Sequence, residues 1–125
     1  MKKAIYIIIG LLVVSGLVWL IVTPGKPGKL DDFARCLKTK GAVFYGAFWC
    51  PHCQAQKARF GKSAKYLPYV ECSTPDGNSR TKECQDADIG IYPTWQFGLS
   101  TSTRVEGEIE LVDLASTTGC LLPTN

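Results

Sequence analysis

The chain has 125 residues, of which 46% are hydrophobic and 20% are charged, and its net charge is +3. Two of its 14 basic residues, Lys2 and Lys3, precede a long apolar stretch, which leaves 12 basic residues against 11 acidic ones in the rest of the chain. A nearly neutral domain is a poor partner for nucleic acid, so the composition argues against that class of function. All six cysteines follow the apolar stretch, which is typical of a domain in an oxidising compartment.

Residues 4–22 are 19 consecutive residues without a charge, which is long enough to cross a bilayer. Because Lys2 and Lys3 precede them, the positive-inside rule places the N-terminus in the cytoplasm and the rest of the chain outside the cytoplasm. A cleaved signal peptide is the alternative, but its apolar core is usually about 7–15 residues long and ends at a small-residue cleavage site. Residues 19–24 offer no such site. We therefore predict a single-pass membrane protein with an uncleaved anchor over residues 1–23.

Prolines and glycines dominate residues 24–29, which we predict to be a semi-extended linker. The remainder, residues 30–125, is long enough for one compact domain but not for two. The sequence contains no internal repeat.

The domain is predicted to begin with a short helix and a buried strand. Asp31 or Asp32 can cap the helix, which runs to about Lys40 and ends at Gly41. Residues 42–48 are apolar throughout, as expected for a central strand that is covered on both faces.

The next helix begins at Cys50, and its periodicity separates a buried face from a solvent-exposed one. Gly61 is expected to bend or weaken this helix, because glycine costs roughly 1 kcal/mol relative to alanine in a helix interior. The predicted buried face consists of Cys53, Phe60, Ala64 and Leu67, and the predicted solvent-facing residues are Lys57, Arg59, Lys62 and Lys65.

The second half of the domain is predicted to continue the alternation of strands and helices. Its predicted elements are a strand at 69–73, a turn at 75–78, a short helix at 79–88, an antiparallel pair of strands at 94–97 and 103–106, and a helix at 110–118 closed by Gly119. This order predicts an α/β sandwich around a central mixed β-sheet, preceded by one transmembrane helix.

Cys50 and Cys53, separated by Pro51 and His52, stand at the start of a predicted helix. Free N–H groups and the dipole at a helix N-terminus stabilise the thiolate of an exposed Cys50, and Cys53 can then resolve a mixed disulfide. His52 is the chain's one histidine and lies where it can stabilise that thiolate. A structural disulfide or half of a zinc site is the alternative, but a second C-x-x-C and a second histidine are both absent from the sequence. We therefore predict a redox-active pair and no metal or cofactor.

Cys36, Cys72, Cys84 and Cys120 can pair in three ways. Cys72 ends the second strand and Cys84 lies in the next helix, so a bond between these two is geometrically easiest, and Cys36 then pairs with Cys120 by elimination. Both bonds are interpreted as structural, each stabilising the domain by about 2–4 kcal/mol. The alternative is that Cys72–Cys84 is a second redox pair that exchanges electrons with the C-x-x-C motif.

A strand, a Trp-Cys-x-x-Cys helix start and the run Ile-Tyr-Pro-Thr at 91–94 together resemble the thioredoxin superfamily. In that family the proline of such a run is cis and lies beside the active-site sulfurs. The resemblance implies that Pro93 packs against the cysteine pair and that the backbone of Tyr92 pairs with an extended substrate segment. An ordinary proline at the first position of a strand is the alternative. Trp49, Tyr92 and Trp95 are expected near the site, either in the core or along a shallow substrate groove.

A closer resemblance covers most of residues 33–120. The chain looks like the thioredoxin-like domain that is fused to, or encoded beside, vitamin K epoxide reductase homologues, which pass electrons from such a domain to quinone. The residues that carry it are 33–37, 49–53, 56–57, 60–61, 69–72, 92–95 and 116–120.

This resemblance implies a DsbA-like oxidase of exported cysteine-containing proteins. Its reoxidation is expected to come from a quinone-reducing membrane oxidoreductase of the vitamin K epoxide reductase or DsbB type. That partner is expected to be a separate polypeptide, because one span cannot hold a quinone-reducing four-helix core.

Three other functions remain open after the sequence analysis. A disulfide isomerase or a reductant would use the same cysteines. Thioredoxins that act as reductants, however, carry a buried acid six residues before the first cysteine, where this chain has Phe44. A copper-handling module that binds metal through the two thiols is the alternative from another class, and it is disfavoured because the chain has one histidine and no methionine after Met1.

Overall fold

The computed structural model describes residues 1–22, 25–98 and 103–124. In chain order its elements are α1 (Lys2–Val22), α2 (Asp31–Thr39), β1 (Ala42–Gly46), α3 (Pro51–Phe60), a 3₁₀ helix (Gly61–Tyr66), β2 (Tyr69–Glu71), α4 (Lys82–Asp86), β3 (Thr94–Phe97), β4 (Arg104–Glu106) and α5 (Leu111–Thr118). The predicted boundary between anchor and linker, at residues 23 and 24, and the C-terminal residue 125 lie outside the described residues.

The four strands form one mixed sheet in the order β2-β1-β3-β4. β1 runs parallel to β2 and antiparallel to β3, and β4 is antiparallel to β3. The α/β architecture with a central mixed sheet, the central position of β1 and the antiparallel pair of strands at its edge are therefore confirmed.

The core is built from aromatic and aliphatic side chains of the helices and the sheet. Phe44 of β1 stacks on Trp95 of β3, with 4.7 Å between ring centroids, and both side chains are fully buried. Phe33 of α2 stacks on Phe60 of α3 at 5.9 Å, and Leu114 of α5 joins the same cluster. Trp95 is thus a core residue, which agrees with the core interpretation and not with the groove interpretation.

Of the described residues, only α1 forms a helix that is long and apolar enough to cross a membrane. None of its side chains is buried, so packing inside the protein does not account for its apolar composition. Length and apolarity are also properties of a signal sequence, so they do not by themselves establish an anchor.

The last residues of the predicted linker pack on the domain. The backbone N–H of Leu30 donates to Ser63 Oγ at 3.0 Å. A Cβ at Gly28 would lie 2.2 Å from the same oxygen, so only glycine allows this close approach. The chain is therefore fixed to the domain from Gly28 onward.

The cap predicted for α2 is wrong. Leu30 occupies the N-cap position, and it makes no side-chain capping bond. Asp31 lies inside the helix, and its Oδ2 accepts a hydrogen bond from the N–H of Gly28 at 3.1 Å. The Asp31 carboxylate therefore holds the turn that precedes α2, because it accepts the hydrogen bond of the Gly28 N–H.

Several predicted elements are longer than the observed ones. The strand predicted at 42–48 ends at Gly46, and the one predicted at 69–73 ends at Glu71. The helix predicted at 79–88 covers only Lys82–Asp86, because Ser79 belongs to a turn in which its N–H and C=O both bond to Thr74. The bend at Gly61 is confirmed, since α3 stops there and a 3₁₀ helix follows.

Both predicted disulfides are present. Cys36 in α2 is bonded to Cys120 after α5, and Cys72 after β2 is bonded to Cys84 in α4. Cys72 and Cys84 are fully buried, which agrees with the structural interpretation of their bond. Cys50 and Cys53 are the free cysteines.

Candidate active site

Cys50 is the N-cap residue of α3. Its Sγ accepts a hydrogen bond from the backbone N–H of Cys53, with 3.4 Å between sulfur and nitrogen. Pro51 occupies the first position of the helix, where its missing N–H has no cost and its fixed φ suits the helix. The predicted placement of the first sulfur at the helix N-terminus is therefore what the structure shows, and a helix end of this kind favours a negative charge on that sulfur.

The first cysteine is much less exposed than the sequence predicted. Cys50 is 5% exposed and Cys53 is 1% exposed. The Sγ of Cys50 lies 3.7 Å from the carbonyl oxygen of Tyr92, so the segment before β3 covers it. Cys50 therefore lies directly against the Tyr92–Pro93 turn.

The Tyr92–Pro93 peptide bond is cis, as the resemblance implied. Pro93 is fully buried, and the carbonyl oxygen of Tyr92 is turned toward Cys50. The Pro93 carbonyl accepts a hydrogen bond from Gly107 at 2.7 Å, which ties this segment to the end of β4.

Trp49 lies at the surface beside this turn and is half exposed. Its indole N–H donates to Ser73 Oγ at 2.9 Å, and its ring meets that of Tyr92 edge-on at 6.0 Å between centroids. Together with Asn78 and Arg80 these residues line a cleft of about 280 Å³. The groove interpretation therefore fits Trp49 and Tyr92.

His52 is 72% exposed in its side chain and is paired with an acid from the segment before α5. Its Nδ1 lies 2.8 Å from Glu108 Oε1, and Arg59 of α3 contacts the other oxygen of the same carboxylate at 3.2 Å. The hydrogen bond from His52, followed by that from Arg59, lowers the pKa of Glu108. The partner that the structure gives to His52 is thus Glu108, and the role of His52 toward Cys50 stays a prediction.

Cys53 occupies an apolar position one turn into α3. Burial is the main reason that its pKa is raised to about 12, and the adjacent Cys50 raises it further. The Ala47 backbone and the charge of Lys57 act in the opposite direction. The thiolate of Cys53 is therefore costly to form.

Lys57 was predicted to face solvent, and that prediction is wrong. Its side chain is half-buried, and its Nζ lies 3.3 Å from the ring centroid of Tyr69 on β2. The Tyr69 hydroxyl donates to Glu71 Oε2 at 2.8 Å. Helical periodicity within α3 could not reveal this arrangement, because it depends on how β2 packs against the helix.

Gln56 is a second buried residue that the sequence analysis missed. Its side chain is fully buried, and its amide makes two hydrogen bonds with the backbone of Ile109, one to the C=O at 3.0 Å and one from the N–H at 2.7 Å. Gln56 therefore holds the segment that carries Glu108 against α3. A lone polar residue in a charged helix gives no sequence signal for such a role.

Comparison with known proteins gives similarities in sequence and in structure. No family model matches the chain. Among solved structures, thioredoxin O2 of Arabidopsis thaliana in its oxidised state aligns with a TM-score of 0.42 and 17% identity, over 77% of this chain and 90% of that one. The thiol-disulfide oxidoreductase LTO1 of Arabidopsis thaliana is 47% identical over 91 residues, which is 69% of this chain and 23% of that protein. The chain thus spans about a quarter of the length of this curated relative.

The domain has a thioredoxin-like fold. The free cysteine pair at the start of α3 and the cis proline beside it are the features that the resemblance to the thioredoxin superfamily implied. Among the residues that the structure describes, no three His, Cys, Asp or Glu side chains are grouped so that they could hold a metal ion. The site is therefore suited to thiol chemistry. The Cys50 sulfur lies at a helix N-terminus, the Cys53 sulfur lies behind it, and the Tyr92 carbonyl lies in front of it.

Proposed function

We propose that this chain is a membrane-anchored thiol-disulfide oxidoreductase that introduces disulfides into exported proteins. The observation that carries the proposal is the position of Cys50, whose sulfur caps α3 and faces the Tyr92 carbonyl while Cys53 lies behind it. The similar plant protein is named a thiol-disulfide oxidoreductase, which supports the same chemistry here.

In this mechanism a substrate thiolate attacks the sulfur of Cys50 in the Cys50–Cys53 disulfide. The mixed disulfide that forms is then attacked by a second substrate thiolate, which leaves an oxidised substrate and a reduced cysteine pair. When this second thiolate displaces Cys50, the N–H groups at the start of α3 stabilise the negative charge that forms on the Cys50 sulfur. Pro51 and His52 complete the motif, with His52 held by Glu108.

The surface around Cys50 suits an extended substrate segment. Phe48, Trp49 and Ile91 are exposed by 49%, 50% and 52%. Trp49 meets the Tyr92 ring edge-on, Phe48 precedes Trp49 in the chain, and Ile91 precedes Tyr92. An extended chain can pair with the backbone of Tyr92 while its side chains contact these apolar residues and the cleft beside Trp49. This contact would be sequence-tolerant, as a protein that oxidises many clients requires.

α1 is proposed to anchor the domain in a membrane. Lys2 and Lys3 at its start favour a cytoplasmic N-terminus, which places the cysteines on the opposite side, where disulfides persist. The two disulfides of the domain agree with such a compartment.

The oxidising direction is supported by what lies behind the cysteines. The position that holds a buried acid in reducing thioredoxins is Phe44, which is fully buried against Trp95. After each cycle the reduced cysteine pair must pass its electrons to another protein. The partner proposed from the sequence is a quinone-reducing membrane oxidoreductase of the vitamin K epoxide reductase or DsbB type. Isomerase and reductant functions use the same atoms and differ in reduction potential.

Capture of mixed disulfides tests the proposal. In the full-length Cys53→Ala variant, expressed in cells with an oxidising exterior, Cys50 cannot be released by its neighbour, so covalent adducts with exported proteins and a membrane oxidoreductase should accumulate. Cys50→Ala is the matched control and should capture little. A copper-binding module would give no adducts with either variant and would instead bind Cu(I) through both thiols, so adduct-free Cys53→Ala would reject the oxidoreductase proposal.

A further inference from the structure

The proposed exchange reaction creates a charge problem at Cys53. When a substrate thiolate attacks Cys50, the electron pair of the Cys50–Cys53 bond goes to the sulfur of Cys53. That sulfur belongs to a residue that is only 1% exposed, so water cannot stabilise the new thiolate well. A nearby proton donor would remove the charge.

Lys57 is placed to serve Cys53. The two residues are four positions apart in α3, so their side chains lie on the same side of the helix. The positive charge of Lys57 acts on the Cys53 sulfur and favours its ionised form. Lys57 itself is half-buried, whereas a lysine without a role commonly extends into water.

Tyr69 and Glu71 of β2 hold Lys57 in this position. The ammonium group lies over the Tyr69 ring at 3.3 Å from the centroid, and the Tyr69 hydroxyl donates to Glu71 Oε2 at 2.8 Å. The other oxygen of Glu71 accepts hydrogen bonds from the N–H groups of Phe48 and Ser73, at 3.1 and 3.0 Å. The lysine site is therefore connected to the loop that carries Trp49 and Cys50.

Gly46 makes this packing possible. A Cβ at residue 46 would lie 2.9 Å from Cys53 Sγ and 3.0 Å from Tyr69 Cε2, so the two side chains meet over a strand position without a side chain. The Cys53 sulfur and the Tyr69 ring that carries the Lys57 ammonium therefore lie close to the same backbone position.

We propose that Lys57 donates a proton to the Cys53 sulfur when the disulfide opens. When the disulfide forms again the steps run in reverse, so the Lys57 ammonium first releases a proton to solvent and the neutral amine then accepts the proton of the Cys53 thiol. On opening, the substrate thiolate bonds to the Cys50 sulfur, the Cys50–Cys53 bond breaks, and its electron pair goes to the Cys53 sulfur. The proton moves from the Lys57 ammonium to that sulfur, and solvent then reprotonates the neutral amine. The proposal rests on the proposed function, and it assigns to Lys57 the task that a buried acid performs in reducing thioredoxins.

The acid strengths of the two groups agree with this direction of proton transfer. Burial lowers the pKa of Lys57 below its ordinary 10.5, against the opposing charges of Glu71 and Cys53. The pKa of Cys53 is raised to about 12, so its thiolate binds a proton more strongly than the Lys57 amine does. The titratable groups that act on Lys57 are Cys53 on its own helix and, on β2, Glu71, with the Tyr69 ring beneath it.

The test compares three forms of the full-length protein in detergent: wild type, Lys57→Ala and Lys65→Ala. Lys65 is the matched control because its Nζ also lies over a tyrosine ring, 5.0 Å from the centroid of Tyr66, on the 3₁₀ helix. The rate of disulfide opening by a small cysteine peptide is measured in a single turnover, by acid quench and alkylation. We expect Lys57→Ala to be slower by about 100-fold at neutral pH, at the low end for a positioned proton donor. Lys65→Ala should react at the wild-type rate.

Two further measurements separate proton donation from a general effect on structure or charge. Ethylammonium added to Lys57→Ala should restore part of the rate, whereas tetramethylammonium at the same concentration, which has the charge but no proton to give, should not. The rate ratio of wild type to Lys57→Ala should also fall as the pH rises through the pKa of Lys57, because the neutral amine has no proton to donate.

These experiments distinguish failure of the proton-donor role from failure of the proposed oxidoreductase function. If wild type does not exchange with the peptide at all, the proposed function fails. If wild type exchanges and Lys57→Ala does so equally fast, the proton-donor role is overturned. Equal rescue by both ammonium ions, no rescue by either, or a rate ratio that is constant with pH would overturn it as well.

Discussion

Replacing Gly46 by alanine tests the packing around the cysteine pair. Gly46 ends β1, directly beneath the resolving cysteine. An added Cβ would lie 2.9 Å from Cys53 Sγ, 3.3 Å from Cys53 Cβ and 3.0 Å from Tyr69 Cε2. Comfortable contacts between such atoms are about 3.5–4.0 Å, so one of the two side chains must move by roughly half an ångström or more.

The expected cost follows from the lack of space. Both neighbours are held in place, Cys53 by α3 and Tyr69 by its hydrogen bond to Glu71 and its contact with the ammonium of Lys57. Adding one methyl group to a packed interior of this kind costs about 1–3 kcal/mol. Because the sulfur of Cys53 is the nearest atom, its approach to Cys50 should also be impaired, so a mixed disulfide on Cys50 should live longer.

Urea unfolding of the full-length protein in detergent measures the first effect, and the lifetime of a peptide mixed disulfide measures the second. Gly90→Ala is the matched control, since no atom lies within 4 Å of a Cβ there. The control should be neutral or stabilising by up to about 1 kcal/mol. If Gly46→Ala were as stable as Gly90→Ala and resolved the mixed disulfide at the wild-type rate, the described packing of Cys53 would be wrong.

Three further predictions concern the surroundings of the site. Replacing both Cys36 and Cys120 by serine opens a loop with a sequence separation of 84 residues, and the chain-entropy relation gives a loss of about 4.5 kcal/mol in the free energy of unfolding. Gln56→Leu leaves a buried backbone N–H and C=O without partners and should cost about 2–4 kcal/mol, also measured by urea unfolding. The pKa of Glu108 is lower in the folded protein than its ordinary value of 4.5, so its carboxylate stabilises the fold above about pH 4.5. This contribution is lost as the pH falls through the pKa of Glu108 in the folded protein. Glu108→Gln should therefore be less stable than wild type at neutral pH and lose less stability on acidification.

Each of these predictions has a result that contradicts it. A serine pair at 36 and 120 that unfolds at the wild-type urea concentration would show that this bond does not constrain the chain. A Gln56→Leu variant of wild-type stability would mean that the segment before α5 finds other hydrogen bonds. If wild type and Glu108→Gln lost stability in parallel on acidification, the pairing of this carboxylate with His52 and Arg59 would not contribute to the stability of the fold.

Much of the fold could be predicted because its signals are local in the sequence. An unbroken apolar run became the central strand, and glycines at 41, 61 and 119 ended or bent helices where they were expected to. The positions of Cys72 and Cys84 in adjacent predicted elements, followed by elimination, were enough to predict both disulfides. These features depend on chain geometry over a few residues or on a small number of possible pairings.

The features that sequence reasoning missed depend on contacts between distant segments. Helical periodicity places Lys57 on the solvent side of α3, but the Tyr69 ring of β2 lies beside it and offers a favourable surface for its charge. Gln56 is buried because it bonds to the backbone of Ile109, far along the chain. The resemblance placed Pro93 beside the cysteine pair, but no pattern around the C-x-x-C motif shows how completely the Tyr92 segment covers Cys50, which is buried. In each case the partner is more than ten residues away and carries no periodic signal.

A redox titration of all six cysteines tests the central claim most directly. Full-length protein is equilibrated in glutathione buffers of graded potential, quenched, alkylated and mapped by mass spectrometry. The account predicts that Cys50 and Cys53 become reduced together at a midpoint of about −200 to −100 mV, the range of disulfide-donating proteins, while the other four stay oxidised. A midpoint near the thioredoxin value of about −270 mV would contradict the oxidase function, and failure of the two cysteines to change together would contradict the redox centre itself.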